Sequence, residues 1–140
     1  MAKMAKFRIE SDFKELKENP LEGIICIPDE NNHLEWDVWI EGPKDTIFQE
    51  GVWRCRIIFP EDYPEMPPIF KFVSDFWHPN VYEDGTVCAS ILHKPGVDEF
   101  NTLEGARERW LPIHSTSTVL NCLLLVLQEP GNIIFLKKFI

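Results

Sequence analysis

Two alternating segments constrain this chain more than any other feature. Leu34, Trp36, Val38 and Ile40 alternate with Glu35, Asp37, Trp39 and Glu41, and Trp53, Cys55, Ile57 and Phe59 alternate with Arg54, Arg56 and Ile58. A period of two sends one set of side chains to one face of a sheet and the other set to the opposite face, so each segment reads as a half-buried strand. Gly42-Pro43 closes the first, and the short apolar run Gly23 to Pro28 before it, followed by the Asn31-Asn32 turn, reads as another strand. Pro60, Pro64, Pro67 and Pro68 then crowd one short stretch. Proline donates nothing to a ladder, so this stretch is neither helix nor central strand, and Ile69 to Val73 is the next strand after it. Successive strands with short connections predict a four-stranded antiparallel meander.

A helix flanks the meander on each side. Ile9, Phe13 and Leu16 recur at helical spacing within Lys6 to Glu18, with Glu10, Lys14 and Lys17 facing out, and Asn19-Pro20 stops the run. Ser115 is placed to cap a helix reaching Glu129, in which Val119, Leu120, Leu123, Leu124 and Leu127 form a wide apolar stripe ended by Pro130-Gly131. The expected fold is α+β in a single domain over residues 1–140: an N-terminal helix, the meander, an irregular loop and a central helix.

Charge and cysteine usage narrow the function. Lys and Arg total 14 against 23 Asp and Glu, a net charge of −9, which repels phosphate backbones and argues against nucleic acid. Cys26, Cys55, Cys88 and Cys122 form no Cys-x-x-Cys pair, so neither a metal site nor a disulfide framework is expected. The start lacks the apolar core of a secretory leader, and the longest strongly apolar run, Cys122 to Leu127, is far too short to insert into a membrane. A reduced cytosolic or nuclear protein is expected, with Cys26, Cys55 and Cys122 as core residues.

The chemistry centres on residues 76–92. Pro79 directs the backbone of His78-Pro79-Asn80 away from helix, and Asp84-Gly85 is a tight-turn pair that returns Cys88 towards Asn80. A thiol beside a side-chain amide suits thioester chemistry, with sulfur carrying the acyl group and the amide stabilising the oxyanion. No strong base lies next to Cys88 in sequence. Taken singly, an intracellular cysteine is most often core filler and an asparagine a turn residue.

The combination of His78-Pro79-Asn80, Cys88 and Trp110-Leu111-Pro112 resembles the ubiquitin-conjugating enzyme family from about Phe7 to Pro130. The resemblance implies that Cys88 is the nucleophile, that Asn80 stabilises the oxyanion, and that His78 and Pro79 support the loop. It implies ubiquitin, the activating enzyme and a RING- or HECT-type ligase as partners, meeting Lys6, Arg8 and Lys14 of the first helix, Glu65 and Met66 at the proline-loop tip, and Leu111 and Pro112. ATP would be used upstream by the activating enzyme, leaving this chain with no cofactor or metal. The long polar segment from Lys94 to Arg109, with Asp98, Glu99, Glu104 and Glu108, resembles the acidic insertion of a subclass that builds lysine-48-linked chains for degradation at the cytosolic face of the endoplasmic reticulum.

Glu65 departs from the apolar residue that many members carry, and residues 132–140 depart from the family altogether. Ile133 and Ile134 stand where an acidic or serine gate is sought, and the further C-terminal helices are expected to be missing, with the tail disordered or used in self-association. Two other readings share some of these residues. One is a non-catalytic ubiquitin- or ligase-binding scaffold, against which Cys88 argues. The other is a papain-like protease using Cys88, His114 and Asn121, which lacks the Cys-Trp signature and a helix-borne nucleophile.

Overall fold

The computed structural model describes residues 2–96 and 104–128. Helix α1 spans Ala2–Glu18, strands β1 to β4 span Ile24–Pro28, Glu35–Glu41, Val52–Ile58 and Ile69–Phe72, a 3₁₀ turn covers Ser90–Leu92, and helix α2 spans Thr116–Gln128. The strands pair antiparallel in the order β1-β2-β3-β4, the expected meander. Its register sets Val38 between Cys26 and Cys55, and Cys55 opposite Phe72.

The alternation decides the faces. Trp36, Val38, Ile40, Cys55, Ile57, Phe70 and Phe72 turn inward and are buried. The outer face carries an ion-pair ladder, with Arg54 on Asp37 at 3.2 Å and Arg56 on both Asp37, at 3.1 Å, and Glu35, at 2.5 Å. These pairs are partly solvated and stabilise little; the apolar inner face is what drives the sheet to fold. Cys55 is fully buried as expected, but Cys26 and Cys122 are only half-buried at the margin of the core. For Cys26 the reason is position, since β1 is an edge strand covered from one side.

Helix α1 begins earlier than its apolar spacing suggests, because Ala5 adds one more buried turn ahead of Ile9. Phe13 meets Trp36 edge-on at 5.6 Å, Trp36 meets Phe59 at 5.0 Å, Phe59 meets Tyr63 at 4.9 Å, and Tyr63 lies 5.7 Å from Trp110. This run of rings joins α1, the sheet, the proline loop and the segment before α2. The proline loop is a succession of turns, with Tyr63 N donating to Pro60 O and Glu65 N to Asp62 O, and its Tyr63-Pro64 bond is cis.

Helix α2 starts where the serine predicts. Ser115 Oγ accepts from Thr118 N and Thr118 Oγ1 accepts from Ser115 N, both at 3.4 Å, a reciprocal cap with threonine in the place usually taken by glutamate. Val119, Leu120, Leu123 and Leu127 fill the core from this side. Beneath the cap lies Asp12, 2% exposed, which accepts from Arg8 Nε at 3.1 Å, Thr116 N at 3.0 Å, Thr116 Oγ1 at 2.9 Å and the Tyr63 hydroxyl. A carboxylate at a helix N-terminus meets backbone donors that lack partners within the helix. Burial, and then the Asp12 charge, pushes the Tyr63 phenol far up, so Tyr63 stays a donor. Among the described residues no helix is long and apolar enough to cross a membrane.

Candidate active site

The loop that carries Cys88 is fixed by backbone bonds that begin at the Asp84-Gly85 turn. Gly85 N donates to Tyr82 O, Tyr82 N to Thr86 O, and Thr86 N to Asp84 Oδ1, each at 2.9 Å. Gly85 has φ +93°, and a Cβ there would lie 2.1 Å from the Phe72 carbonyl, so no other residue fits this crossing over β4. Phe72 N donates to Gly85 O at 2.8 Å and Val87 N to Phe70 O at 2.9 Å, fastening the loop to β4. One residue further on, Cys88 N donates to Asn80 O at 2.6 Å.

Asn80 closes the other half of that contact. Its side chain is 1% exposed, and Nδ2 donates to Cys88 O at 3.2 Å. The turn therefore does bring Asn80 and Cys88 together, through the cysteine backbone. His78 lies beneath them, buried, and its Nδ1 accepts from Asn80 N at 3.0 Å. A ring nitrogen that accepts carries no proton, so this imidazole is neutral. Burial lowers its pKa in agreement, with the Val126 carbonyl acting in the opposite direction.

The surroundings of the thiol contain side chains that the sequence reading passed over. Cys88 is 5% exposed, and its Sγ lies 3.5 Å from His93 Nε2. His93 Nδ1 in turn sits 2.7 and 3.0 Å from the two oxygens of Glu104, and Arg109 Nη1 lies 3.2 Å from Glu104 Oε1. Tyr82 also hydrogen-bonds Cys88, and that bond is the first reason its phenol is pushed up. No base adjoins Cys88 in sequence, but in space an imidazole backed by a carboxylate does. The order Cys88…His93…Glu104 carries the signal, at a spacing longer than immediate neighbours.

Both ends of the insertion are tied down. Trp110 N donates to His93 O at 3.1 Å and Arg109 Nε to Lys94 O at 2.6 Å, while Trp110 Nε1 donates to Pro64 O at 2.7 Å. Of the four acidic residues singled out there, Glu104 is buried against His93 and Arg109, and Glu108 is exposed. Asp98 and Glu99 lie outside the described residues, as do Ile133, Ile134 and the rest of the 132–140 tail.

The expected partner surface is split. Lys6 and Glu65 are exposed, and Met66, Leu111 and Pro112 are half-buried in the proline-loop and pre-α2 segments. Arg8 differs from its expected outward role: it is half-buried, with Nε on Asp12 and Nη2 donating to His114 O at 2.7 Å. The exposed apolar residues at this end are Met4, Phe7 and Ile113. His114, which the protease reading required, packs edge-on against Trp110, and Asn121 is exposed on α2.

Comparison with known proteins decides the family. The family model "Ubiquitin-conjugating enzyme" matches residues 8–135. This chain belongs to the ubiquitin-conjugating enzyme family. It is 43% identical to human ubiquitin-conjugating enzyme E2 G2 over 133 residues, covering 94% of this chain and 80% of that one. Ubiquitin-conjugating enzyme E2 15 of Schizosaccharomyces pombe is 42% identical over 125 residues, 89% of this chain and 74% of the relative. Among solved structures, human ubiquitin-conjugating enzyme E2 G1 superposes with a TM-score of 0.78 at 38% identity, covering 90% of this chain and 96% of that one. The helix–meander–helix architecture is therefore the conjugating-enzyme fold, and the protease reading is set aside.

Proposed function

We propose that Cys88 of this conjugating enzyme accepts ubiquitin as a thioester from the activating enzyme and passes it to a substrate lysine with a ligase of RING or HECT type. The observation that carries the reading is the pairing of Cys88 with Asn80: backbone to backbone at 2.6 Å and side-chain amide to backbone at 3.2 Å, which holds an amide donor against the residue that bears the thiol. In loading, Sγ attacks the thioester carbonyl, a new C–S bond forms, and the activating enzyme's thiol departs. Asn80 carries two N–H donors, one engaged by the Cys88 carbonyl; the other is the donor we assign to the oxyanion. The nucleotide is handled upstream, and this chain needs no metal or cofactor of its own.

The position of Glu104 against His93, which in turn neighbours Cys88, supports an active-site role for the acidic insertion and, with it, lysine-48 chain building for degradation, in the cytosol, the nucleus or at the cytosolic face of the endoplasmic reticulum. Lys6, Glu65, Met66, Leu111 and Pro112, with the exposed Met4 and Phe7, form the end we assign to the activating enzyme and ligase.

The test is loading with activating enzyme, ubiquitin and ATP, read on non-reducing gels. A thiol-reducible adduct is expected, turning into a reductant-stable oxyester in Cys88→Ser and vanishing in Cys88→Ala. An adduct that survives Cys88→Ala sinks the assignment. A wild-type chain that binds ubiquitin or a ligase and never loads is a scaffold instead.

A further inference from the structure

We propose that Asp12 is the positioning residue of the partner-docking cleft, fixing the spacing and angle between α1 and the proline loop; this rests on the assignment of that end to the activating enzyme and ligase. Lys3, Met4, Phe7, Arg8 and Ser11 of α1 line, together with Pro64, a cleft of ≈ 540 Å³. Its walls come from separate elements, and among the described residues no backbone hydrogen bond joins α1 to the proline loop. Ala5, Ile9, Phe13 and Leu16 hold α1 to the core, but hydrophobic contact has no direction and leaves small rotations and slides open. Direction comes from hydrogen bonds, and here they converge on one buried carboxylate. Asp12 Oδ2 accepts from the hydroxyl of Tyr63, the residue before Pro64. The same oxygen accepts from Thr116 N at 3.0 Å and Thr116 Oγ1 at 2.9 Å. Oδ1 accepts from Arg8 Nε at 3.1 Å, and Arg8 Nη2 donates onward to His114 O at 2.7 Å. The helix, the proline loop and the segment before α2 are thereby fastened to a single side chain.

Stability alone does not call for a carboxylate at this place. An apolar side chain on the buried stripe of α1 avoids the desolvation cost, and exchanging buried ions for hydrocarbon is often neutral or stabilising. What hydrocarbon does not supply is a defined geometry. Arg8 shows the consequence: it lines the cleft with its guanidinium held between Asp12 and the His114 carbonyl. The proline loop is tied from another side by Trp110 Nε1 on Pro64 O at 2.7 Å, a bond that does not involve Asp12. Removing the Asp12 charge therefore keeps the loop on the body of the protein and frees its distance from α1. Only the molecules that hold the correct spacing are then competent to dock. Apparent affinity falls by that fraction, while the step after docking proceeds as before.

The experiment is loading of the full chain by activating enzyme, ubiquitin and ATP, with initial rates measured against the concentration of this chain. Each variant is assayed at a temperature where circular dichroism shows it folded. Asp12→Asn keeps the shape and loses the charge; its KM should rise about 10-fold with kcat unchanged, the effect of losing one charge-assisted hydrogen bond between the walls. Tyr63→Phe should raise KM in the same direction by a smaller factor. Thr116→Val removes a donor from the same carboxylate on the α2 side, so it should lower the melting midpoint and leave KM alone. A wild-type KM in Asp12→Asn overturns the proposal. So does an equal rise in Thr116→Val, which would make the effect one of general stability. Should Asp12→Asn not fold, a wild-type KM in Tyr63→Phe overturns it instead. Phe7→Ala tests the assignment beneath: a KM unmoved by that change takes docking away from α1, and failure of wild-type loading sinks the thioester reading itself.

Discussion

Cys55 and Cys88 are both buried thiols, at 0% and 5% exposure, yet they occupy opposite kinds of surroundings. Cys55 sits in the middle of β3 between Val38 and Phe72, in hydrocarbon on its inner face. Burial pushes its pKa far up, as it pushes Cys26 up to about 11 and raises Cys122, and no polar group opposes the effect at any of the three. Cys88 is held on a loop where both a phenol and an imidazole meet the side chain. Burial alone therefore says nothing about whether a cysteine is chemistry or filler; what touches the sulfur does.

The largest effect expected from this contrast is in alkylation. Cys88 needs only Tyr82 or the half-buried His93 to swing aside, whereas Cys55 needs the sheet to open. Iodoacetamide on the native protein should modify Cys88 at least about 10³ times faster than Cys55, the latter limited by global unfolding. Peptide mapping over time reads the ratio, and comparable rates would erase the distinction. Next comes the amide beside the thiol: Asn80→Ala should slow discharge to lysine about 10²- to 10³-fold. Loading measured in the same preparation should fall much less, and equal losses in both steps would leave Asn80 a purely structural residue.

A third comparison uses one substitution at both sites. Cys55→Ser places a hydroxyl among hydrocarbon with no polar neighbour and should cost about 1–3 kcal/mol in chemical unfolding. Cys88→Ser, whose hydroxyl finds Tyr82 and His93, should cost less than half as much; equal costs would deny the polar character of the site. The smallest effect belongs to His78, under the loop. Its folded pKa lies below the ordinary 6.5, so the unfolded chain binds the extra proton first. Its contribution to stability is whole above that value and drains away as pH falls through it towards the folded pKa. Unfolding curves of wild type against His78→Asn should show a shallower acid-side slope in the variant.

The same contrast explains what could be read from residues alone. The sheet was legible because one repeated signal, the alternation at Leu34–Glu41 and Trp53–Phe59, determines strand, face and partner together. The Asp84-Gly85 turn was legible because a positive φ demands a particular residue. The clustering of His93, Glu104 and Arg109 was not, since it depends on where a long connection crosses the loop and on bonds such as Arg109 to the Lys94 carbonyl. Asp12 was missed for a different reason. It lies on the apolar stripe of α1, three residues past Ile9 and four before Leu16, and a charged residue in that position announces a buried partner.

That carboxylate also sets a clock on biosynthesis. Asp12 finds its partner Thr116 at a separation of 104 residues, and a ribosome adding about 5–20 residues per second takes about 5–20 seconds to cover that distance. Helix α1 is made before the sheet and waits through the synthesis of all four strands before its carboxylate can meet the Thr116 donors. A nascent chain stalled just before α2 holds an apolar helix face whose carboxylate has Arg8 and Tyr63 beside it but lacks the two Thr116 donors, the kind of half-finished surface that holding chaperones recognise.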